Sequence, residues 1–224
     1  MPPILPHITL ETGSAPRHSI IWLHGLGADG SDFVPLAEEM ALPVAVRYLF
    51  PHAPKRPVTI NGGFVMRAWY DIATTDIGGT QDAEGIRASQ LGIEQLIAQE
   101  RARGIAASNI FIAGFSQGGA IALHTGLRHS ERLGGLLALS TYLPLAETLP
   151  AEAAAANQDI PVFMAHGRSD PVVPYTLGVS SRDRLQQRGY ALAWHEYAMP
   201  HSVCQEEIGD IADWLAQRLR TTTV

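Results

Sequence analysis

The stretch Ile110-Phe111-Ile112-Ala113-Gly114-Phe115-Ser116-Gln117-Gly118-Gly119 decides the fold. Ile110 to Phe115 is an apolar run of strand length, and Gln117 to His129 carries a helical pattern, so strand, sharp turn and helix follow within a few residues. Gly114-Phe115-Ser116-Gln117-Gly118 fits G-x-S-x-G, whose glycines have a steric reason. A serine forced into a strained turn needs neighbours without side chains, so that the backbone closes up and leaves the hydroxyl exposed. A serine that only capped the helix would not need a glycine on both sides. The turn also sets the Gln117 N–H at a helix start, aimed where an oxyanion would develop.

Outward from this turn, apolar runs alternate with helical patterns, which predicts a mostly parallel sheet with helices on both faces. Ser19–Leu23, Ala45–Phe50, Gly135–Ser140, Val162–Gly167 and Ala191–Tyr197 read as strands. Helices are expected over Phe33–Met40, capped by Ser31 or Asp32, and from Asp82 to Arg103, where Ile86, Ile93, Leu96 and Ile97 recur at helical spacing before Gly104. Two more are expected over Leu177–Arg188, stopped by Gly189, and after His201, where Ser202 and Gln205 have capping-box spacing. Pro51 to Gln81 is rich in Pro, Gly and Thr and reads as a long excursion with a short strand near Ala68–Tyr70. No repeat or linker divides residues 1–224, so one α/β domain is expected.

Bulk composition narrows the function classes. Sixteen Lys and Arg against twenty-two Asp and Glu give a net charge of −6, the wrong sign for a surface that neutralises phosphates, so nucleic acid is not expected as a partner. Hydrophobic residues at 46 % and charged residues at 17 % supply a sizeable core. The single cysteine, Cys204, excludes an internal disulfide framework and suits a reducing compartment; its place near a helix start reads as structural. Met1 to Leu10 shows no basic flank followed by an apolar core, and no run reaches the ~18 apolar residues of a membrane span. A cytoplasmic protein without a membrane span is therefore expected, and a homodimer is compatible with this composition.

A serine hydroxyl needs a base to take its proton and a third group to hold that base in the right tautomer. Where G-x-S-x-G carries the nucleophile, the partners follow in the order Ser, Asp or Glu, then His. Outside the helix that follows Ser116, the later histidines are His166, His195 and His201. His195 falls inside a strand pattern and His166 precedes Gly167 at a strand end, whereas His201 lies in a loop after the last strand, so His201 is the expected base. Asp170, in Gly167-Arg168-Ser169-Asp170-Pro171, follows a strand at the carboxyl end of the sheet and is the expected orienter, a role compatible with an Asp-Pro turn.

Gly25-Leu26-Gly27-Ala28-Asp29-Gly30 matches the dinucleotide fingerprint G-x-G-x-x-G, but the following strand ends in Tyr48-Leu49-Phe50-Pro51, without the acidic residue that would grip a ribose. The segment fits better as the early loop that supplies a second oxyanion N–H, from Leu26, with His24 holding the loop.

Taken together, His24-Gly25-Leu26-Gly27, Trp69-Tyr70-Asp71, Gly114-Phe115-Ser116-Gln117-Gly118-Gly119, Asp170 with Pro171 to Pro174, and His201 resemble the phospholipase/carboxylesterase family, which includes bacterial carboxylesterases and acyl-protein thioesterases. The resemblance implies an α/β-hydrolase fold without a large cap domain and without a metal or organic cofactor, acting on small carboxylic esters or thioesters. It also implies that Phe64, Val65, Met66, Ile72, Val172 and Val173 wall the acyl pocket. With Ala153–Ala156 in only a short connection between two strands, no sizeable lid is expected there. The reading is a serine carboxylesterase for short- to medium-chain esters, with Ser116, His201 and Asp170 as the triad and Leu26 and Gln117 as oxyanion donors. The alternatives are an acyl-protein thioesterase or lysophospholipase using the same triad, and a catalytically silent binding protein on the same fold.

Overall fold

The computed structural model describes residues 4–76 and 78–219. In chain order its elements are β1 (His7–Glu11), β2 (His18–Leu23), α1 (Val34–Glu39), β3 (Val46–Pro51), β4 (Lys55–Val58), β5 (Phe64–Arg67), α2 (Ala83–Ala102), β6 (Ile110–Phe115) and α3 (Gln117–Arg128). There follow β7 (Gly135–Leu139), α4 (Leu149–Glu152), β8 (Val162–Gly167), α5 (Tyr175–Gln187), β9 (Leu192–Tyr197) and α6 (Gln205–Leu219). Among the described residues, seven strands make one sheet in the order β1-β3-β2-β6-β7-β8-β9. The edge strand β1 is antiparallel to its neighbour, and the other pairs in this sheet are parallel. This is the α/β-hydrolase fold, and no cap domain interrupts it among the described residues.

Alternation along the central strands sorts the core into two layers. Ile21, Leu23, Ile110 and Ile112 pack with α2 and α3 through Ile86, Ile93, Leu96 and Ile121, while Ile20, Trp22, Phe111 and Ala113 pack with α1 and α6 through Leu36, Ile211, Trp214 and Leu215. Side chains of opposite parity on one strand thus feed opposite faces, which is why these strands read as unbroken apolar runs. Strand order changes direction beside β6: from β2 the chain steps outward to β3, which lies between β2 and β1, then crosses back to β6 and proceeds to β7, β8 and β9 on the other side. The crevice at such a switch point, beyond the carboxyl ends of the strands, is where open α/β sheets bind ligands.

Three local expectations need correction. The excursion after β3 contains a two-stranded hairpin, β4 with β5, while Ala68–Tyr70 is not a strand. Arg67 and Lys55 close the hairpin register, so pairing stops before Ala68. Helix α1 begins after Phe33 with no side-chain cap. The Asp29 carboxylate instead accepts from the Ser31 N–H and hydroxyl, tightening the turn before the helix. Helix α6 begins at Gln205, so Ser202 stands too far upstream to pair with Gln205 as a capping box.

Candidate active site

Ser116 sits between β6 and α3 at φ 54° and ψ −121°, a backbone conformation that side-chain-bearing residues rarely adopt. Close approach explains the flanking glycines. A Cβ on Gly114 would stand 2.4 Å from the Gly118 carbonyl, and one on Gly118 would stand 2.4 Å from the Leu23 carbonyl oxygen. The first crowding would pry open the elbow, and the second would separate α3 from the end of β2. The Ser116 carbonyl accepts from the Thr141 hydroxyl at 2.6 Å, and the Ser116 N–H donates to the Leu139 carbonyl, at the end of β7, at 2.8 Å. The turn is therefore held from the β7 side.

The structure brings the three residues chosen from sequence into one relay. The Ser116 hydroxyl lies 2.9 Å from His201 Nε2, and His201 Nδ1 donates to Asp170 Oδ2 at 2.6 Å. They arrive from three strand ends, β6 for the serine, β8 for the aspartate and the loop after β9 for the histidine. Asp170 Oδ1 accepts the N–H groups of Val172 and Val173 at 2.8 and 2.9 Å. One carboxylate oxygen therefore builds the turn while the other faces His201, and turn and orienter coexist in one residue. Ser116 is 9 % exposed, and Asp170 behind it is buried.

A second histidine, His166 at the end of β8, also approaches Asp170. His166 is fully buried, donates from Nε2 to the Val173 carbonyl at 2.9 Å, and has the same nitrogen 3.5 Å from Asp170 Oδ2. Burial lowers its pKa, which leaves it neutral and adds no second positive charge beside the carboxylate. His195 lies in β9 and is paired with Asp210 on α6.

The His24–Gly27 loop passes beside the serine, and a Cβ on Gly25 would meet that of Ser116 at 3.6 Å. His24 is neutral: burial lowers its pKa to about 4, outweighing the acceptor at Gly25 that favours its charged form. Its Nδ1–H donates to the Gly25 carbonyl at 2.7 Å and its Nε2 accepts the Ala53 N–H at 3.0 Å, so both ring nitrogens are used within the loop and its neighbour. Among the described residues, no backbone carbonyl takes the N–H of Leu26 or of Gln117. The N–H groups of the residue after the serine and of a residue in the neighbouring loop are thus left without a backbone acceptor.

The six residues expected to wall the acyl pocket differ widely in exposure. Phe64 and Val65 are 69 % and 57 % exposed on β5, and Val172 is 52 % exposed beyond β8, whereas Val173 is buried in the core. Met66 is half-buried with its sulfur near Gly27, and Ile72 borders a small cavity with Tyr70 and Tyr142. A larger cavity, about 250 Å³, lies between α5 and the segment after β7, lined by Tyr142, Leu143, Leu145, Ala146 and Leu177 among others. The Tyr70 and Tyr142 hydroxyls meet at 2.8 Å beside both cavities. Their signal in the sequence is only a pair of aromatics in irregular segments, which carries no periodicity to read.

With this geometry in view, comparison with known proteins is specific. The phospholipase/carboxylesterase family model matches residues 7–219. A protein of Yarrowia lipolytica named acyl-protein thioesterase 1 is 38 % identical over 98 % of this chain and 100 % of its own length. One of the same name from Neurospora crassa is 40 % identical over 97 % of this chain and 92 % of its own. The crystal structure of Arabidopsis thaliana SOBER1 superposes with a TM-score of 0.86 at 31 % identity, covering 90 % of this chain and 99 % of that one. The family match runs through every element that places the serine, the histidine and the aspartate, and the chain belongs to the phospholipase/carboxylesterase family of serine hydrolases.

Proposed function

We propose that the protein hydrolyses acyl thioesters, with S-acylated peptides as the favoured class, and the corresponding carboxylic esters by the same steps. The observation that carries the chemistry is the Ser116–His201–Asp170 relay flanked by the free N–H groups of Leu26 and Gln117. His201 takes the proton from Ser116 as its oxygen attacks the acyl carbonyl. Asp170 holds the imidazolium, and the two N–H groups receive the oxyanion. His201 then returns the proton to the departing sulfur or oxygen. Water, deprotonated by the same histidine, cleaves the acyl-enzyme and restores Ser116.

The thioester preference is supported by the relatives named acyl-protein thioesterase, which align along nearly the whole chain. A reading as a carboxylesterase for short- to medium-chain esters uses the same relay and is favoured by one observation: no cap domain interrupts the fold among the described residues, so nothing there builds a long enclosed acyl channel. The test is a matrix of kcat/KM values for acyl chains from acetyl to palmitoyl, each on matched thiol and alcohol leaving groups. Fluorophosphonate labelling of wild type and Ser116→Ala runs alongside. Rising efficiency to long thioesters supports the proposal, and an optimum at short esters favours the carboxylesterase. Absence of label on folded wild type would leave only a silent binding protein.

A further inference from the structure

The Trp69-Tyr70-Asp71 motif takes no part in proton transfer, yet its first residue connects the His24–Gly27 loop to the residue that follows Ser116. The Trp69 backbone N–H donates to the Gln117 side-chain oxygen at 2.7 Å, and the Gln117 amide nitrogen donates to the Tyr70 carbonyl at 2.8 Å. The Trp69 indole N–H donates to the His24 carbonyl at 2.9 Å, with the two rings 5.3 Å apart. Two residues upstream, the Arg67 carbonyl accepts the Gly27 N–H at 2.9 Å. The segment 67–70 therefore grips the early loop on either side of Leu26 and grips the side chain of Gln117. Trp69 is fully buried, and its own carbonyl is anchored by the Ser89 hydroxyl on α2.

We propose that Trp69 is a positioning residue: a strut, built on a segment that contributes no reacting atom, that sets the spacing between the Leu26 and Gln117 N–H groups. Neither donor is located by its own loop alone. Leu26 lies between two residues tied to 67–69, and Gln117 is clamped through both polar atoms of its side chain. An oxyanion site acts through donors fixed before charge develops, so a change in their spacing weakens the transition state more than the bound substrate. This rests on the assignment of those N–H groups as oxyanion donors.

Trp69→Phe keeps the aromatic packing and removes one indole N–H. The expected result is a kcat lowered at least about tenfold with KM within about twofold, the signature of an interaction realised in the transition state. Affinity for an alkyl trifluoromethyl ketone, whose adduct with Ser116 carries the oxyanion, should fall by the same factor. Gln117→Met, which cuts the strut at its other end, should reproduce the pattern, and it carries the test if Trp69→Phe does not fold. If the wild type binds the ketone no better than it binds substrate, the donor assignment itself fails. If wild type binds it tightly and both variants retain that affinity, or lose kcat without losing it, the donors stand and the strut is refuted.

Discussion

Glu207, in the first turn of α6, is fully buried, and neither of its carboxyl oxygens has a hydrogen-bond partner among the described residues. Burial, the largest influence, raises its pKa from 4.5 to about 8; the dipole of the nearby Cys204 N–H opposes this and the charge of Asp210 adds to it. The folded chain holds this proton more tightly than the unfolded chain. The stability contributed is therefore fully present below pH 4.5 and is lost as pH rises through about 8. At about 1.4 kcal/mol for each tenfold change in proton affinity, the ceiling is about 5 kcal/mol, a large share of a typical ~5–15 kcal/mol total. Glu207→Gln keeps the shape and cannot ionise, so it should match wild type near pH 5 and exceed it by about 2–5 kcal/mol at pH 9. The assay is urea unfolding of both proteins at pH 5, 7 and 9. His24 and His124, whose pKa values burial lowers to about 4 and about 3, cost stability as pH falls below 6.5, but equally in both proteins, so they cancel in the difference. A stability difference that stays flat from pH 5 to 9 would refute the reasoning.

Two further outcomes follow from the site. Asp170→Asn should lower kcat by about 10⁴ with little change in melting temperature. The Val172 and Val173 N–H groups hold the amide oxygen, so the amide nitrogen faces His201 Nδ1 and forces the proton onto Nε2, where it cannot accept from Ser116; a near-normal rate would mean that another carboxylate orients the base. Gly118→Ala drives a Cβ to 2.4 Å from the Leu23 carbonyl oxygen and should spread α3 from the loop that carries Leu26. A loss of at least about 100-fold in kcat/KM is expected together with a lower melting temperature, and full activity would show that the two backbones separate freely.

The parts of the molecule that repeat a period were legible in the sequence. Strands β6 and β8 fall where their apolar runs do, and Gly104 and Gly189, at φ 94° and 82°, stand just past α2 and α5 as their helical patterns imply. The relay was legible because chain order and strand ends constrain it, so three residues far apart in sequence could be chosen by position. The rest depends on tertiary contacts that no period announces. The β4–β5 hairpin hides behind Pro57, which weakens a strand pattern, although Gly62-Gly63 between two β-prone runs was a usable turn signal. The acyl-wall residues follow from resemblance alone, because the aim of each side chain is set by tertiary contacts that leave no pattern in the sequence. His166 reads as structural in the sequence and is held by the Val173 carbonyl, but its approach to Asp170 has no sequence signal.

Because the serine and its base are 85 residues apart, the site is unfinished for much of the protein's synthesis. At roughly 5–20 residues per second, a ribosome takes about 4–17 s to travel from one to the other. During that interval the nascent chain displays a nucleophile with no base, while β7 waits for β8 and the sheet edge stays open to chaperones or to other chains. Covalent labelling of Ser116 therefore requires β8, β9 and the following loop to be in place. The labelled fraction of a preparation then counts finished molecules, and a pulse of label during cell-free translation should time the moment at which the last third of the chain docks.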